Sequence, residues 1–180
     1  MIVSGVADSI DRHIAYWSKQ VPDLDVHVEG AVTRMQGLVR LLWRRREAGL
    51  AARELKGWEY DILWRIRSAG PPFQVSPTWL AKALDTHPAT LTSRLERLEG
   101  TGHLTRVHDP ADRRRLLVEL TDLGHRMWEA TIEDQAANER ALLAVLTEVE
   151  REQLSDLLRK VVTAAEEHEA PLMPPVENAP

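Results

Sequence analysis

Apolar residues recur every three or four positions along most of the chain, and this spacing predicts a mainly helical fold. The first long helix is expected over residues 31–48, with Gly49 as its end. A second is expected through GWEYDILWRIRSAG, ending before the loop Gly70-Pro71-Pro72. Two short helices follow, and each begins with a proline in its first turn, at Ser76-Pro77 and His87-Pro88. Two short helices joined by a tight turn predict a helix-turn-helix.

After the second short helix the apolar period changes from three or four to two. Leu104 to Val107 and Leu116 to Leu120 alternate as paired strands do, and the residues between them form a polar loop. A hairpin directly after a helix-turn-helix predicts a wing. The predicted fold class is therefore mainly α with a small β-hairpin wing, a winged helix-turn-helix joined to a helical dimerisation region.

Two further helices are predicted after the wing. Thr121 caps the first, and Thr147 with Glu150 forms a capping box at the start of the second. The second carries an apolar stripe of Leu154, Leu157, Leu158, Val161 and Val162. The predicted organisation is an N-terminal extension helix over 1–30, a helical dimerisation region over 31–50 and 122–168, a DNA-binding domain over 55–121, and an extended or disordered tail over 169–180.

The charge of the chain first argues against a nucleic-acid partner. The 180 residues carry 23 Lys and Arg against 28 Asp and Glu, a net charge of -5. The acids, however, gather near the end, where residues 129–170 hold eleven acids and four bases, a balance of -7. The remainder is therefore +2, by subtracting -7 from -5. Local fields decide what binds, so DNA stays a possible partner.

Several classes of function lose support from the composition. The chain has no cysteine, which removes disulfides and thiolate metal sites. It has no apolar run long enough to span a membrane and no signal-peptide pattern, so we expect a cytoplasmic protein without a membrane partner. No nucleophile, phosphate-loop or HExxH motif is present, and the histidines lack metal-ligand spacing. We therefore expect no enzyme activity, no cofactor and no metal site.

The second short helix has the pattern of a recognition helix. At about 100° per residue, Leu91, Leu95 and Leu98 share a narrow inner arc, and small and hydroxyl-bearing residues occupy the opposite arc. Such residues let a helix enter the major groove, where an arginine can read guanine. The alternative is an ordinary solvated helix face. The predicted DNA contacts on this helix are Pro88, Ala89, Thr90, Thr92, Ser93 and Arg97.

The loop of the hairpin carries the second set of predicted DNA contacts, Asp112, Arg113, Arg114 and Arg115. An arginine on a protruding hairpin can insert into the minor groove, and a nearby carboxylate can orient it. The alternative is that three arginines only keep an edge hairpin soluble. Their position directly after a helix-turn-helix favours DNA.

The segment DPADRRRLLVELTDLG, residues 109–124, resembles the wing signature of the MarR family of bacterial transcriptional regulators. RLERLEGTG from Arg94 and WEYDIL from Trp58 are similar to that family's recognition helix and second helix. The resemblance implies a homodimer on a pseudo-palindromic operator, with a small molecule that usually relieves repression. Two positions depart from the family pattern: His103 replaces a bulky aliphatic residue, and Lys56 replaces the usual Ser or Thr cap.

Arg94 is the unusual residue of the recognition helix, because it lies at the edge of the inner arc. Asp61 and Arg106 are its expected neighbours, in a buried polar cluster. Residues 17–25, WSKQVPDLD, resemble the N-terminal extension helix of the PecS/HucR-type branch, many of whose members respond to urate. That resemblance implies a ligand site made of Trp17, Asp61, Arg94 and Arg106. The alternative is structural: a salt bridge between Arg94 and Asp61, a fold residue at Arg106 and a packing aromatic at Trp17.

Together these patterns predict a DNA-binding regulator, a repressor released by a small anionic or aromatic ligand such as a urate-like molecule or an organic acid. Two alternatives remain: a winged-helix module that binds protein, and a MarR-type regulator without a urate-like response.

Overall fold

The computed structural model describes residues 7–170 and 172, and it confirms the predicted fold class. Within these residues there are seven helices and a three-stranded antiparallel sheet. The elements are α1 Ser9–Trp17, α2 Val26–Ala51, α3 Gly57–Ser68, β1 Gln74–Val75, α4 Pro77–Ala83, α5 Pro88–Gly100, β2 Leu104–His108, β3 Leu116–Leu120, α6 Asp122–Leu143 and α7 Glu148–Glu166. Nine of the twelve residues of the predicted tail, 169–180, lie outside the described residues, as do the first six residues of the predicted extension.

Local capping chemistry sets the starts of four helices, three of them at the predicted caps Ser76, Thr121 and Thr147. The Ser76 hydroxyl accepts the Trp79 amide, and His87 Nδ1 accepts the Ala89 amide, each directly before a proline in the first turn. Thr121 accepts the Gly124 amide at 3.1 Å. Thr147 and Glu150 form both halves of the predicted capping box. These short-range bonds satisfy amides that the helix itself leaves without partners.

Two predictions for the N-terminal part were wrong. The extension helix, α1, ends at Trp17, and residues 18–25 form turns instead of the expected helix. The long helix begins at Val26 instead of residue 31, because the Asp25 carboxylate accepts the amides of His27 and Val28. It also continues through Gly49 to Ala51. Buried Leu50 explains this extension, since its packing keeps the last turn helical.

The main core lies within the winged part. The inner faces of α3, α4 and α5 meet the three strands there, and Ile62, Leu63, Leu80, Leu91 and Leu98 are almost fully buried. A smaller cluster joins the end of α2 to α3, with Trp64, Met127 and Trp128 packed against it. Burial of these side chains fixes the back of α5 and leaves its other face outward.

The wing differs from the prediction by one strand. β2 and β3 pair antiparallel as expected, with Arg106 opposite Val118, but β1 adds a third strand on the outer side of β3. Its register places Val75 opposite Val118. A strand of only two residues has no periodic pattern to detect, so only the pairing partner reveals it.

The junction between α5, β2 and α6 is unusually close. Gly102 has a φ of 76°, a left-handed conformation that favours glycine. A Cβ built on Gly124 would lie 2.0 Å from the His103 carbonyl oxygen, so only glycine fits there. Thr121 Oγ1 donates to the Gly102 carbonyl at 2.6 Å. Polar contacts and two glycines therefore tie the start of α6 to the base of the wing.

The chain divides into two compact units, Met1–Ala48 and Gly49–Pro180. In the first unit, Arg34 on α2 binds Asp8 and Asp11 and so holds α1. In the second unit, α6 and α7 belong with the winged part. No residue of α7 is buried in the single chain. Among the described residues, no helix has the length and apolar character that membrane crossing requires.

Candidate nucleic-acid interface

Helix α5 exposes the face that the sequence predicts. Leu91, Leu95 and Leu98 are buried beneath it, and the predicted DNA contacts on this helix are all exposed: Pro88, Ala89, Thr90, Thr92, Ser93 and Arg97. Small side chains at its first turn leave room for close approach to a groove.

Two of the three hydroxyls on this face, those of Thr92 and Ser93, already use their hydrogens. Thr92 Oγ1 donates to the Pro88 carbonyl at 2.9 Å, and Ser93 Oγ donates to the Thr90 carbonyl at 2.9 Å. In this arrangement their oxygens can accept a hydrogen bond from a base edge. A phosphate offers only acceptors, so contacting one requires each hydroxyl to leave its helix bond.

Arg97 has a partner that the sequence analysis missed. Its Nε donates to Glu59 Oε1 on α3 at 2.5 Å. Glu59 is only 2% exposed, whereas the Arg97 side chain is 49% exposed. The predicted DNA contact is therefore also an ion-pair partner of a buried carboxylate.

The tip of the wing is shaped by its two aspartates. Asp109 accepts the Ala111 amide, and Asp112 accepts both the amide and the Nε of Arg114, at 3.0 and 3.3 Å. Arg115 lies 3.8 Å from Asp109. The Arg114 side chain is 93% exposed, and Arg113 is exposed as well. Carboxylates thus order the loop while the guanidiniums project from it, which is the arrangement that minor-groove insertion needs.

The residues predicted to bind a ligand have contacts of their own. The Arg94 guanidinium lies over the Trp58 ring, 5.2 Å from its centroid, and Arg106 Nε lies 3.3 Å from Glu99 Oε2. Asp61 and Arg106 are exposed in the single chain, so the predicted buried polar cluster is not what this chain shows. The physical reason is that Asp61 and Arg106 stand at exposed positions of α3 and β2, where a charged group keeps its hydration. Trp17 lies in the first unit, where its ring contacts Tyr16 edge-on.

Among residues 7–170 and 172, no three His, Asp or Glu side chains come together as a metal-binding group.

The MarR_2 model of the MarR family matches residues 47–115. Over 148 residues the chain is 34% identical to the HTH-type transcriptional regulator PecS of Dickeya dadantii, covering 82% of this chain and 89% of PecS. The chain belongs to the MarR family. It is also 30% identical over 113 residues to the transcriptional repressor NicR of Pseudomonas putida, covering 63% of this chain and 70% of NicR.

Solved structures agree with this MarR assignment. Wild-type MarR from Escherichia coli, in its apo form, matches with a TM-score of 0.57 and 27% identity, covering 71% of this chain and 95% of that one. YusO of Bacillus subtilis matches with a TM-score of 0.70 at 21% identity, covering 79% of this chain and 99% of its own, and shows the fold. The chain is therefore a winged-helix, DNA-binding transcriptional regulator of the MarR family and not an enzyme.

Within this MarR-family chain, the missed residue Glu59 did leave a signal in the sequence. Glu59, Ile62, Leu63 and Ile66 follow the three-four spacing of the α3 core face, so the carboxylate stands at a core position. Glu59 is also three residues after Lys56, the N-cap of α3. Its Oε2 accepts the Lys56 amide at 2.7 Å, but the reciprocal bond is missing because an ammonium group has no acceptor.

Proposed function

We propose that this MarR-family chain is a sequence-specific repressor that acts in the cytoplasm as a homodimer on a pseudo-palindromic operator. In the proposed complex, α5 enters the major groove and the wing tip contacts the minor groove. A small anionic or aromatic molecule releases the DNA.

The structure of the wing tip is the main support for the proposed DNA contacts. Three consecutive arginines project from it, and Asp112 holds the Nε of Arg114 while leaving that side chain 93% exposed. An ordered and exposed guanidinium loses little conformational entropy on binding, so it suits the narrow minor groove. A hairpin that needed charge only for solubility would not require a carboxylate to orient it.

The apolar stripe on α7 supports the dimer. Leu157 is 60% exposed in the single chain, and Val149 and Val161 are similarly exposed. A contiguous apolar stripe of this kind marks a protein interface. Nine of the eleven acids between residues 129 and 170 then lie on the dimerising helices α6 and α7 and not on the DNA-reading surface.

Fluorescence anisotropy with the DNA upstream of the chain's own gene tests the DNA contacts. Arg114→Ala is expected to weaken binding and to reduce the salt slope by about one, because one cation no longer displaces counterions. Arg140→Ala on α6 is the matched control, since it removes the same charge from an exposed position outside the helix-turn-helix and the wing hairpin. Equal behaviour of the two variants contradicts the wing assignment. Absence of any DNA binding by the wild type favours a protein-binding module instead.

The ligand response rests on the guanidiniums of Arg94 and Arg106. A guanidinium is planar and can donate two parallel hydrogen bonds, so the guanidiniums of Arg94 and Arg106 suit the oxygens of a small planar anion. Arg94 already lies over an indole ring, so flat groups stack in this part of the chain. The roles of Asp61 and Trp17 remain predictions from the sequence.

A thermal-shift screen tests the response with urate, xanthine, trans-aconitate and phenolic acids, using the wild type, Arg94→Gln and Asp61→Asn. We expect one of these compounds to raise the melting temperature of the wild type and to release DNA. The shift should shrink in both variants. If none of the compounds changes the melting temperature of the wild type, Asp61 and Arg94 have a structural role instead.

A further inference from the structure

Glu59 is a buried carboxylate with two different tasks at once. Its Oε2 accepts the Lys56 amide at the start of α3, and its Oε1 accepts Arg97 Nε on α5. At 2% exposure it is one of two buried polar or charged residues in the described chain. An unpaired buried charge is costly, so the pair with Arg97 is maintained by the burial of Glu59 itself.

The bond to Glu59 uses only one of the N–H donors of Arg97. A guanidinium has five N–H donors, and the bond to Glu59 uses the one on Nε. In the part of the chain that the structure describes, neither Nη group of Arg97 makes a hydrogen bond. The two Nη groups form the far end of the planar fork, and that end can make two parallel hydrogen bonds to guanine O6 and N7.

The position of Arg97 on α5 matches such a contact. It lies one turn after Ser93 and two turns after Ala89 and Thr90, on the exposed face of the helix. A long arginine side chain has many rotamers, and fixing them costs free energy on binding. The bond to Glu59 fixes the guanidinium before DNA arrives.

We propose that Glu59 is a positioning residue for sequence readout: it holds Arg97 by Nε so that the two Nη groups present end-on to a guanine in the major groove. This proposal rests on the proposed DNA-binding function. It assigns to a residue buried in α3 an effect on base preference, although that residue touches no DNA.

A double-mutant cycle tests the proposal. Operators are first selected from random DNA with the full-length wild type, and base preference is then measured at each position for Glu59→Gln, Arg97→Ala and the double variant. In Arg97→Ala, the preference for guanine over the other bases is expected to fall about tenfold at one position of each half-site. Glu59→Gln should relax preference at that same position, and it should add less than about twofold in the Arg97→Ala background.

Two further variants separate orientation from charge. Arg97→Lys keeps the positive charge but lacks the fork, so it should lose the guanine preference while keeping the salt slope. Glu99→Gln is the matched control. It removes one carboxylate from α5, the helix that carries Arg97, just as Glu59→Gln removes one carboxylate from α3. It should keep the guanine preference and bind as tightly or more tightly, because it lowers repulsion of the phosphates.

Three results would overturn the proposal. In the first, Glu59→Gln keeps the wild-type preference at every position. In the second, Glu59→Gln lowers affinity by the same factor for every operator sequence, so that base preference does not change. In the third, Glu59→Gln lowers the guanine preference by as much in the Arg97→Ala background as in the wild type. The last two outcomes make Glu59 a structural residue that only anchors α5 to α3. A wild type that selects no operator is a different outcome, and it contradicts the proposed function instead.

The bond to the Lys56 amide also makes Glu59 a helix cap, so the variant can lose stability. Lys56→Ser supplies a different cap for α3, because a serine hydroxyl at the N-cap position accepts the backbone amide of residue 59. The pair Lys56→Ser with Glu59→Gln therefore carries the same cycle in a folded chain. If this pair regains the wild-type guanine preference along with its stability, Glu59 acts only as a cap and the proposal is wrong.

Discussion

His103 shows how a single residue can carry a cost that the family pattern avoids. It follows the left-handed Gly102, and its Nδ1 lies 2.8 Å from Thr101 Oγ1. Its Nε2 is buried, and among the described residues it has no hydrogen-bond partner. Burial lowers the pKa of His103, and the negative charge of Glu59 opposes this only in part. The position where a bulky aliphatic residue is usual therefore holds an imidazole that resists protonation.

This lowered pKa makes stability depend on pH in a definite direction. Below about 6.5, the ordinary pKa of histidine, the unfolded chain takes up a proton that folded His103 does not. The unfolded state then binds more protons, so the free energy of unfolding falls as pH falls through this window and the loss ends below the folded pKa. We expect His103→Leu to flatten the decline of melting temperature between about pH 7.5 and about pH 5.5.

Melting curves of the wild type, His103→Leu and His168→Gln across that range check this expectation. His168 is exposed after the end of α7, so its replacement removes a histidine without changing the core. Parallel pH profiles for all three proteins would show that His103 does not contribute to acid sensitivity.

At the scale of elements, Thr121 joins three parts of the winged unit. Its hydroxyl accepts the Gly124 amide as the cap of α6 and donates to the Gly102 carbonyl, and its own amide donates to the His103 carbonyl at 3.2 Å. The sequence predicted the cap. It did not predict that the same hydroxyl ties α6 to the turn between α5 and β2, because that bond joins residues 19 positions apart.

Thr121→Ala is expected to lower the free energy of unfolding by about 1–2 kcal/mol, since it removes a helix cap and a second hydrogen bond. Thr121→Ser keeps the hydroxyl and is the matched control. Urea unfolding followed by circular dichroism measures both. Equal losses in the two variants would mean that the threonine methyl group, and not the hydroxyl, carries the effect.

At the scale of the whole molecule, charge and apolar surface are separated along the chain. Three consecutive arginines stand at the tip of the wing, whereas α7 combines acids with an exposed apolar stripe. This separation explains how a chain of net charge -5 belongs to a DNA-binding family. It also places the proposed dimer contact away from the arginines along the sequence.

Leu157→Glu is expected to convert the proposed dimer to a monomer, because it puts a charge at the centre of the stripe. Operator affinity should fall at least about tenfold, since a dimer binds two half-sites at once. Light scattering with size exclusion and anisotropy measure the two effects. Thr163→Glu, at an exposed position on the face of α7 opposite the stripe, is the control and should leave both unchanged. A dimeric Leu157→Glu protein would remove the stripe from the interface.

The sequence by itself determined the features that depend on neighbours in the chain. Helix caps at Ser76, Thr121 and Thr147 form bonds across three residues, and the two-residue alternation of the wing strands reports which side is buried. These patterns were sufficient for the fold class, the exposed face of α5 and the arginine tip. The wing segment was specific enough to indicate the family, which similarity to PecS then established.

Tertiary structure decided what depends on partners distant in the chain. β1 exists because β3 offers it an edge, and Leu50 keeps α2 helical beyond Gly49 because a core receives it. The partner of Arg97 is 38 positions away, and the contacts of Arg94 with Trp58 and of Arg106 with Glu99 are indicated by no periodic pattern in the sequence. Periodicity tells which side of an element is buried. It does not tell which side chain on another element lies nearest, because that distance is fixed only when the elements pack.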